Sequence, residues 1–176
     1  MKDFPLSARA FVYGVVAAGV GIVGPALILY DYPRPQEFTM FLILGALAGS
    51  KKIRLIRSKK AEATGTMSVA FAVTFAAILH FGPEGGALVG LISGLSACLY
   101  PKRQPLYQAA FNLSDIALAA YLSGRVFIAS GGRPGEVDFI ENVVPAFAAA
   151  LTYYLLNTFS VAAAIALSSR GKVLKT

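Results

Sequence analysis

Residues 8–30 read Ala8-Arg-Ala-Phe-Val-Tyr-Gly-Val-Val-Ala-Ala-Gly-Val-Gly-Ile-Val-Gly-Pro-Ala-Leu-Ile-Leu-Tyr30, an apolar run of 23 residues in which only Arg9 is charged. A helix crosses the hydrocarbon core of a bilayer with about 20 predominantly apolar residues. The apolar core of a signal peptide is only about 7–15 residues long, and no convincing small-x-small cleavage site ends this run. We therefore predict that residues 8–30 form a retained first transmembrane helix.

The composition of the whole chain agrees with a membrane location. Of the 176 residues, 56 % are hydrophobic and 14 % are charged, and the mean hydropathy is +0.64. A soluble domain has about 25 % charged residues, and one of this size could not hide so much apolar surface. Disordered chains are poor in apolar residues, which excludes disorder. The chain is therefore expected to be a single integral membrane domain, residues 1–176.

Six apolar runs, separated by turn-forming stretches, predict an all-α polytopic helical bundle. The second run is short, and it can extend through the basic stretch that follows if the Lys and Arg side chains snorkel to the headgroups. Gly82-Pro83 separates the third run from the fourth and predicts a tight helical hairpin. The expected transmembrane spans are about 8–30, 38–56, 67–82, 84–100, 106–129 and 140–169.

Lys and Arg are distributed unevenly between the two sets of loops that six spans create. The N-terminus, the second and fourth loops and the tail carry 13 of them, whereas the opposite loops carry 3. Basic residues concentrate in the cytoplasmic loops of membrane proteins. We therefore expect a multi-pass membrane protein with both termini in the cytoplasm.

The second loop is the most basic part of the chain. Its cations can bind anionic headgroups at about 1 kcal/mol each, which predicts contact with the lipid bilayer rather than with nucleic acid. The stretch is either an anchor that fixes the orientation of the second helix or an arm that senses lipid or a partner. The expected lipid-anchoring residues are Lys51, Lys52, Arg54, Arg57, Lys59 and Lys60.

Glycine recurs at every fourth position in the fourth span, at Gly86, Gly90 and Gly94. This spacing puts the three glycines on one face of a helix, where a neighbouring backbone can approach closely. The neighbour is either another helix of the same chain or a second copy in a homodimer. Gly45 and Gly49 repeat the pattern more weakly in the second span.

The fifth and sixth spans carry polar residues at the depth of the membrane centre. Asp115 lies nine residues into its span, or about 14 Å at 1.5 Å per residue. A buried ionisable group in a membrane faces a cavity or a partner, so we expect Asp115 to contact Asn157 or Tyr153, with Asn112 alongside. Ser160 shares their face of the sixth span. The cluster is either a ligand or ion site or interhelical hydrogen bonding. The candidate ligand-binding residues are Gln108, Asn112, Asp115, Tyr153 and Asn157.

Other chemistry-bearing residues are sparse. His80 and Glu84 lie one turn apart at the outer end of the hairpin, where the histidine either titrates with external pH or caps a turn. Cys98 is the only cysteine, and the sequence has no Cys/His spacing for a metal and no nucleophile with a base. We therefore expect no catalytic residues, no metal, no cofactor and no enzymatic activity.

Three runs carry a resemblance to a known family. They are Met67-Ser-Val-Ala-Phe-Ala-Val-Thr-Phe-Ala-Ala-Ile-Leu-His-Phe-Gly-Pro83, Tyr107-Gln-Ala-Ala-Phe-Asn-Leu-Ser114 and Tyr154-Leu-Leu-Asn-Thr-Phe-Ser-Val-Ala-Ala-Ala-Ile-Ala-Leu-Ser168. In this order they resemble the N-terminal membrane-associated sensor modules of bacterial cyclic-di-GMP signalling proteins, which precede a diguanylate cyclase or an HD-type phosphodiesterase. The resemblance covers about residues 40–176. It implies a sensory input domain in the bacterial inner membrane, whose final helix passes a signal to a cytoplasmic output domain or a separate partner subunit. It implies no binding residue.

A second family gives the alternative function. Six helices with both ends inside, a short second span and a polar cluster between late helices also resemble the substrate-binding subunits of energy-coupling-factor vitamin transporters. In that family small residues of the first helix contact a transmembrane coupling subunit, and Gly14 and Ala18 have the matching spacing. A purely structural helical bundle without a ligand is the third possibility.

Overall fold

The computed structural model of the chain describes residues 5–50, 52–54, 66–100, 103–136 and 138–173. These residues form five helices and one short pair of strands, which confirms the predicted all-helical class. The helices are α1 (Leu6–Leu29), α2 (Pro35–Ser50), α3 (Ala70–Leu99), α4 (Leu106–Ala129) and α5 (Phe139–Val173). The strands are β1 (Lys52–Arg54) and β2 (Thr66–Ser68).

The strand pair changes the expected bounds of the second and third spans. β1 and β2 are antiparallel, with Ile53 opposite Met67. Therefore α2 ends at Ser50 instead of running to residue 56, and α3 begins at Ala70 instead of residue 67. The strand pair gives the backbone N–H and C=O groups hydrogen-bond partners, as a longer helix would have done. Ile and Thr also favour strands.

α3 folds back on itself at Gly82. Thr74 Oγ1 lies 3.4 Å from Ser93 Oγ, although a straight helix would separate these residues by about 28 Å. The reversal occurs where Gly82 adopts φ +80° and ψ −166°, a conformation that needs glycine, and Pro83 has no backbone N–H to donate to the first arm. The hairpin expected at Gly82-Pro83 is thus present within α3, with antiparallel arms 70–81 and 83–99.

Three helices are long and apolar enough to cross a membrane, namely Leu6–Leu29, Ala70–Leu99 and Ile140–Ser168. Their length and composition support the transmembrane character that the sequence predicts. The second of these helices, α3, contains the reversal. Its two arms are only about 18 and 25 Å long, so neither arm alone matches a hydrocarbon core of about 30 Å. α4 is as long as α1 but carries more polar residues, Asp115 among them.

The connections between helices gather at two ends of the bundle. At the Gly82 end, the Tyr30 hydroxyl donates to the carbonyl of Phe81 at 3.0 Å, and the N–H of Gly135 donates to the carbonyl of Leu79 at 2.9 Å. These bonds join the α1–α2 and α4–α5 connections to the reversal. At the Gln104 end, the start of α1, the α3–α4 connection and the late part of α5 line one cavity. Successive rods therefore run antiparallel.

The α3 hairpin occupies the centre, with α2 packed on one side and α4 on the other. α5 packs mainly on α4, where the fully buried Ser123 Oγ donates to the carbonyl of Ala149 at 2.6 Å. Most of the α5 surface is exposed and apolar, as at Phe147 and Phe159, which are 71 % and 68 % exposed. Such a surface is stable when lipid covers it.

The glycine stripe lies inside the bundle. Its members are Gly86, Gly90 and Gly94. A Cβ at Gly86 would lie 2.4 Å from Ile78 in the other arm of α3, and one at Gly90 would lie 3.0 Å from Thr74. Ile116 of α4 approaches the positions that a Cβ would occupy at Gly90 and Gly94 to 3.1 and 3.0 Å. The glycine stripe therefore packs against helices of the same chain, which was one of the two alternatives predicted for it.

Candidate functional site

Asp115 forms a side-chain contact between α4 and α5 in the interior of the bundle. The residue is only 3 % exposed, and the hydroxyl of Ser160 donates to its Oδ1. Its second carboxyl oxygen, Oδ2, is buried and has no hydrogen-bond partner among the residues that the structure describes. Buried polar atoms are nearly always hydrogen-bonded, so this oxygen marks Asp115 as a functional candidate.

The partner of Asp115 differs from the expected one. We expected Asn157 or Tyr153 to meet the carboxyl, and the structure brings Ser160 to it instead. Helical periodicity places the three α5 residues on one face, but the axial offset between two packed helices decides which of them lies opposite Asp115. Tyr153 is 5 % exposed, lies within electrostatic reach of the carboxyl, and packs its ring against Phe71 of α3 at 5.0 Å.

A cavity of about 300 Å³ lies at the Gln104 end between α1, α4 and α5; we call it the amide cavity. Its apolar walls include Phe111 and Val161, and uncharged amides and hydroxyls provide its polar groups. Asn112 Nδ2 donates to Gln104 Oε1 at 2.8 Å, so Asn112 is held by the α3–α4 connection and does not bond to Asp115. The polar lining residues are Gln104, Tyr107, Gln108, Asn112 and Ser168.

A second cavity, of about 460 Å³, lies between α3 and α5, and Tyr153 and Asn157 line it. Thr74 and Ser93, whose hydroxyls face each other across the two arms of α3, contribute to the same lining. The five residues predicted as one site are therefore divided. Two line the amide cavity, two line the α3–α5 cavity, and Asp115 bonds to Ser160 in the interface between α4 and α5.

His80 pairs with α2 and not with Glu84. Its Nε2 lies 2.6 Å from Glu37 Oε2 and 3.1 Å from Nη1 of Arg34. A single ring nitrogen cannot both donate to a carboxylate and accept from a guanidinium. The shorter contact places the hydrogen on Nε2, and Arg34 then interacts chiefly with Glu37, at 3.6 Å. Sequence analysis missed Arg34 and Glu37 because they lie over 40 positions before His80.

Glu84 instead lines a cavity of about 570 Å³ at the Gly82 end, together with Asp31, Tyr30 and Tyr121. Tyr30, which follows the last residue of α1, is partly buried there. Burial, and then the charge of Glu84, raise the pKa of Tyr30 to about 12. The hydroxyl therefore stays protonated at physiological pH and keeps its hydrogen bond to Phe81.

The remaining predicted functional residues belong to the basic stretch. Lys51, Arg57, Lys59 and Lys60 lie outside the described residues, as do the side chains of Lys52 and Arg54. Their proposed contact with lipid therefore stays a prediction. In the described part of the chain, no group of three or more His, Cys, Asp or Glu side chains is arranged to hold a metal ion.

Comparison of the chain with protein-family models, with curated proteins and with solved structures finds no match. The class of protein thus rests on the fold and its surfaces. The chain is an all-helical protein with helices able to cross a membrane, and its polar side chains cluster in the interior and at the two ends of the bundle.

Proposed function

We propose that the chain is a membrane-embedded sensory input domain without enzymatic activity of its own. A small ligand in the amide cavity changes the position of α5, and α5 passes this change to a cytoplasmic output domain or partner subunit. The observation that carries the proposal is the length and placement of α5.

α5 is a continuous helix of 35 residues, or about 52 Å, whereas the hydrocarbon core is about 30 Å thick. The excess of about 22 Å supports the proposal that α5 continues beyond a membrane surface. Ile165 and Ser168 of α5 line the amide cavity, and Ser160 bonds to Asp115 less than two turns before Ile165. A molecule in the cavity thus contacts α1, α4 and the helix that leaves the membrane.

The proposed topology has six passes in the inner membrane with both ends of the chain in the cytoplasm. The reversal at Gly82 supports it, because it turns five helices into six antiparallel rods. The distribution of Lys and Arg then places the Gln104 end on the cytoplasmic side. The short arms of α3 are shielded by α2 and α4, so they need not match the bilayer thickness by themselves.

The chemistry of the amide cavity indicates the ligand. Ligand cavities typically have about 300–1,000 Å³, mostly apolar walls and a few polar groups that fix orientation. Here the polar groups are amides and hydroxyls, and no charged side chain is among the described lining residues. The proposed ligand is a neutral, amphipathic small molecule with hydrogen-bonding groups at one end.

A paired substitution on α5 tests this function. A diguanylate cyclase is fused after Thr176, and cyclic-di-GMP is measured in cells. Ala164→Trp fills the amide cavity, since Ala164 lines it, and should fix cyclase output at one level. Ala166→Trp puts the same side chain on an exposed face two residues away and should leave output like the parent. Equal outputs from the two variants would reject the amide cavity as the input site.

The alternative, a substrate-binding subunit of a vitamin transporter, has one supporting observation. Gly14 and Ala18 are exposed on α1, and a Cβ at Gly14 would meet nothing within 4 Å, so this face is open to another subunit. Mass spectrometry of small molecules retained by protein purified in mild detergent separates the two functions. A vitamin-like ligand held at stoichiometric level favours the transporter.

A further inference from the structure

We propose that Asp115 is a proton-binding site, and that its bound proton links α4 to α5 through a chain of hydrogen bonds from Asp115 to Ser160 to the carbonyl of Asn157. This proposal stands independently of the sensory function. It starts from the carboxyl oxygen Oδ2, which is buried without a hydrogen-bond partner in the described structure.

The ionised carboxylate cannot be satisfied by its surroundings. Ser160 has one hydroxyl hydrogen, and two acceptors lie within its reach, Asp115 Oδ1 and the carbonyl of Asn157 at 3.3 Å. A charged carboxylate would take that hydrogen on Oδ1 and still leave a negative charge shared with Oδ2, which receives no donor. A buried charge without a partner is among the most unfavourable arrangements in a membrane interior.

The neutral acid completes the same geometry. The hydrogen bond between the two side chains then runs in the opposite direction: a proton on Oδ1 is donated to Ser160 Oγ, and the Ser160 hydroxyl donates its own hydrogen to the carbonyl of Asn157. Each contact of Ser160 then has its own hydrogen, and Oδ2 becomes a neutral carbonyl oxygen, for which burial costs far less. Hydrogen positions follow here from the requirement that each donor has an acceptor.

The other charged and titratable groups leave this assignment in place. On α5, Tyr153 is the titratable side chain near the carboxyl, and it carries no positive charge. On α3, the titratable side chains of His80 and Glu84 lie at the Gly82 end, where His80 contacts Glu37 and Glu84 lines the cavity described above. On α1, Arg9 lies in the first two turns, and the carboxylates of the described ion pairs are those of Glu37 and Glu136.

Release of the proton would remove one of the two hydrogen bonds of this chain and leave an uncompensated negative charge in the interface between the helices. The Ser160 hydroxyl would have to choose between the carboxylate and Asn157, and the new charge would attract water into the α4–α5 interface. α5 is held to the bundle chiefly by α4, so its contact with α4 depends on proton occupancy of Asp115.

Infrared difference spectroscopy of the purified, full-length protein tests the proposal. The difference between the parent and Asp115→Asn at neutral pH should contain the C=O stretch of a protonated carboxylic acid. Asp31→Asn is the matched control, because Asp31 is exposed at the Gly82 end, and it should remove carboxylate bands only. Carboxylate bands alone in the Asp115→Asn difference would overturn the proposal.

A second measurement needs no change at position 115. Ser160→Ala removes the acceptor of the acid proton and should shift the acid C=O stretch to higher frequency. Ser168→Ala, the same change on the same helix, should leave it in place, since the Ser168 hydroxyl donates to the carbonyls of Ala164 and Ile165 within α5. An unshifted band in Ser160→Ala contradicts the proposed chain of hydrogen bonds.

A thermal melt distinguishes a bound proton from a bound metal cation. The thermal midpoints of the parent and of Asp115→Asn are compared in sodium chloride and in choline chloride at equal ionic strength. A midpoint that sodium raises in the parent only would assign the site to a metal cation and overturn the proposal.

Discussion

His80 of α3 donates to Glu37 of α2 across a distance of 2.6 Å, and the ring of Phe41, one turn along α2, stacks on the imidazole at 5.9 Å. The pair joins the reversal of α3 to the first turn of α2. Arg34 completes the cluster from the α1–α2 connection, where it adopts φ +52°. A non-glycine residue with positive φ is held there by its surroundings, so the cluster fixes the Gly82 end of the bundle.

Glu37→Gln should lower the thermal midpoint of the protein in detergent. The change removes the negative charge that His80 and Arg34 both contact. Because Glu37 is 46 % exposed and His80 31 % exposed, we expect the free energy of unfolding to fall by only about 0.5–1 kcal/mol. Glu136→Gln is the control, because the ion pair that Glu136 forms in the described structure is with the more exposed Arg133, at 3.4 Å. An equal effect of both substitutions would show that the His80 contact contributes nothing specific.

Gly49→Ala should destabilise the protein by at least about 1–3 kcal/mol, because the new methyl group would overpack the contact between α2 and α3. A Cβ at Gly49 would lie 2.0 Å from the backbone oxygen of Ser93, which cannot rotate away. Gly14→Ala is the same change in a helix with nothing within 4 Å. It should be neutral or stabilising by about 0.5–1 kcal/mol, from helix propensity alone. Thermal melts that rank the two variants in the opposite order would contradict the packing of α2 on α3.

Asp115→Asn should keep the fold, and Asp115→Leu should lower the thermal midpoint. The amide retains a donor and an acceptor for Ser160, whereas leucine leaves the Ser160 hydroxyl beside an apolar group. The loss expected for leucine is about 1–3 kcal/mol. Cyclase output from the fusion after Thr176 gives the second measurement. Unchanged output in a folded Asp115→Asn variant would reject a role in signalling for the binding and release of a proton at Asp115.

Cysteine labelling checks the proposed topology. Cysteines at Ser58 and at Ser130 should react from opposite sides of the membrane, because six passes put the second loop and the α4–α5 connection on different sides. Ser130 is exposed, whereas a side chain at the neighbouring Gly132 would meet the ring of Phe127 at 2.5 Å. The native Cys98 is buried and should label slowly. Reaction of both engineered cysteines with an impermeant external reagent would exclude six passes.

The sequence by itself determined the features that depend on local chemistry. Apolar runs of sufficient length predicted the helices, and Gly82-Pro83 predicted the reversal, because glycine readily adopts positive φ and proline has no N–H with which to continue a helix. The same dipeptide, Gly24-Pro25, stays helical within α1. The four-residue glycine spacing predicted close packing of the second arm of α3. The depth of Asp115 in α4 singled it out as a residue that needs a partner.

Only the tertiary structure decided which residues meet. Periodicity put Tyr153, Asn157 and Ser160 on one face, but the offset of α5 along α4 selected Ser160 and moved the others to the α3–α5 cavity. His80 found Glu37 because the reversal of α3 and the start of α2 lie at the same end of the bundle. Such pairings depend on how rigid helices slide and rotate against one another. That relative placement is set by the sum of many packing contacts, and no short stretch of sequence encodes it.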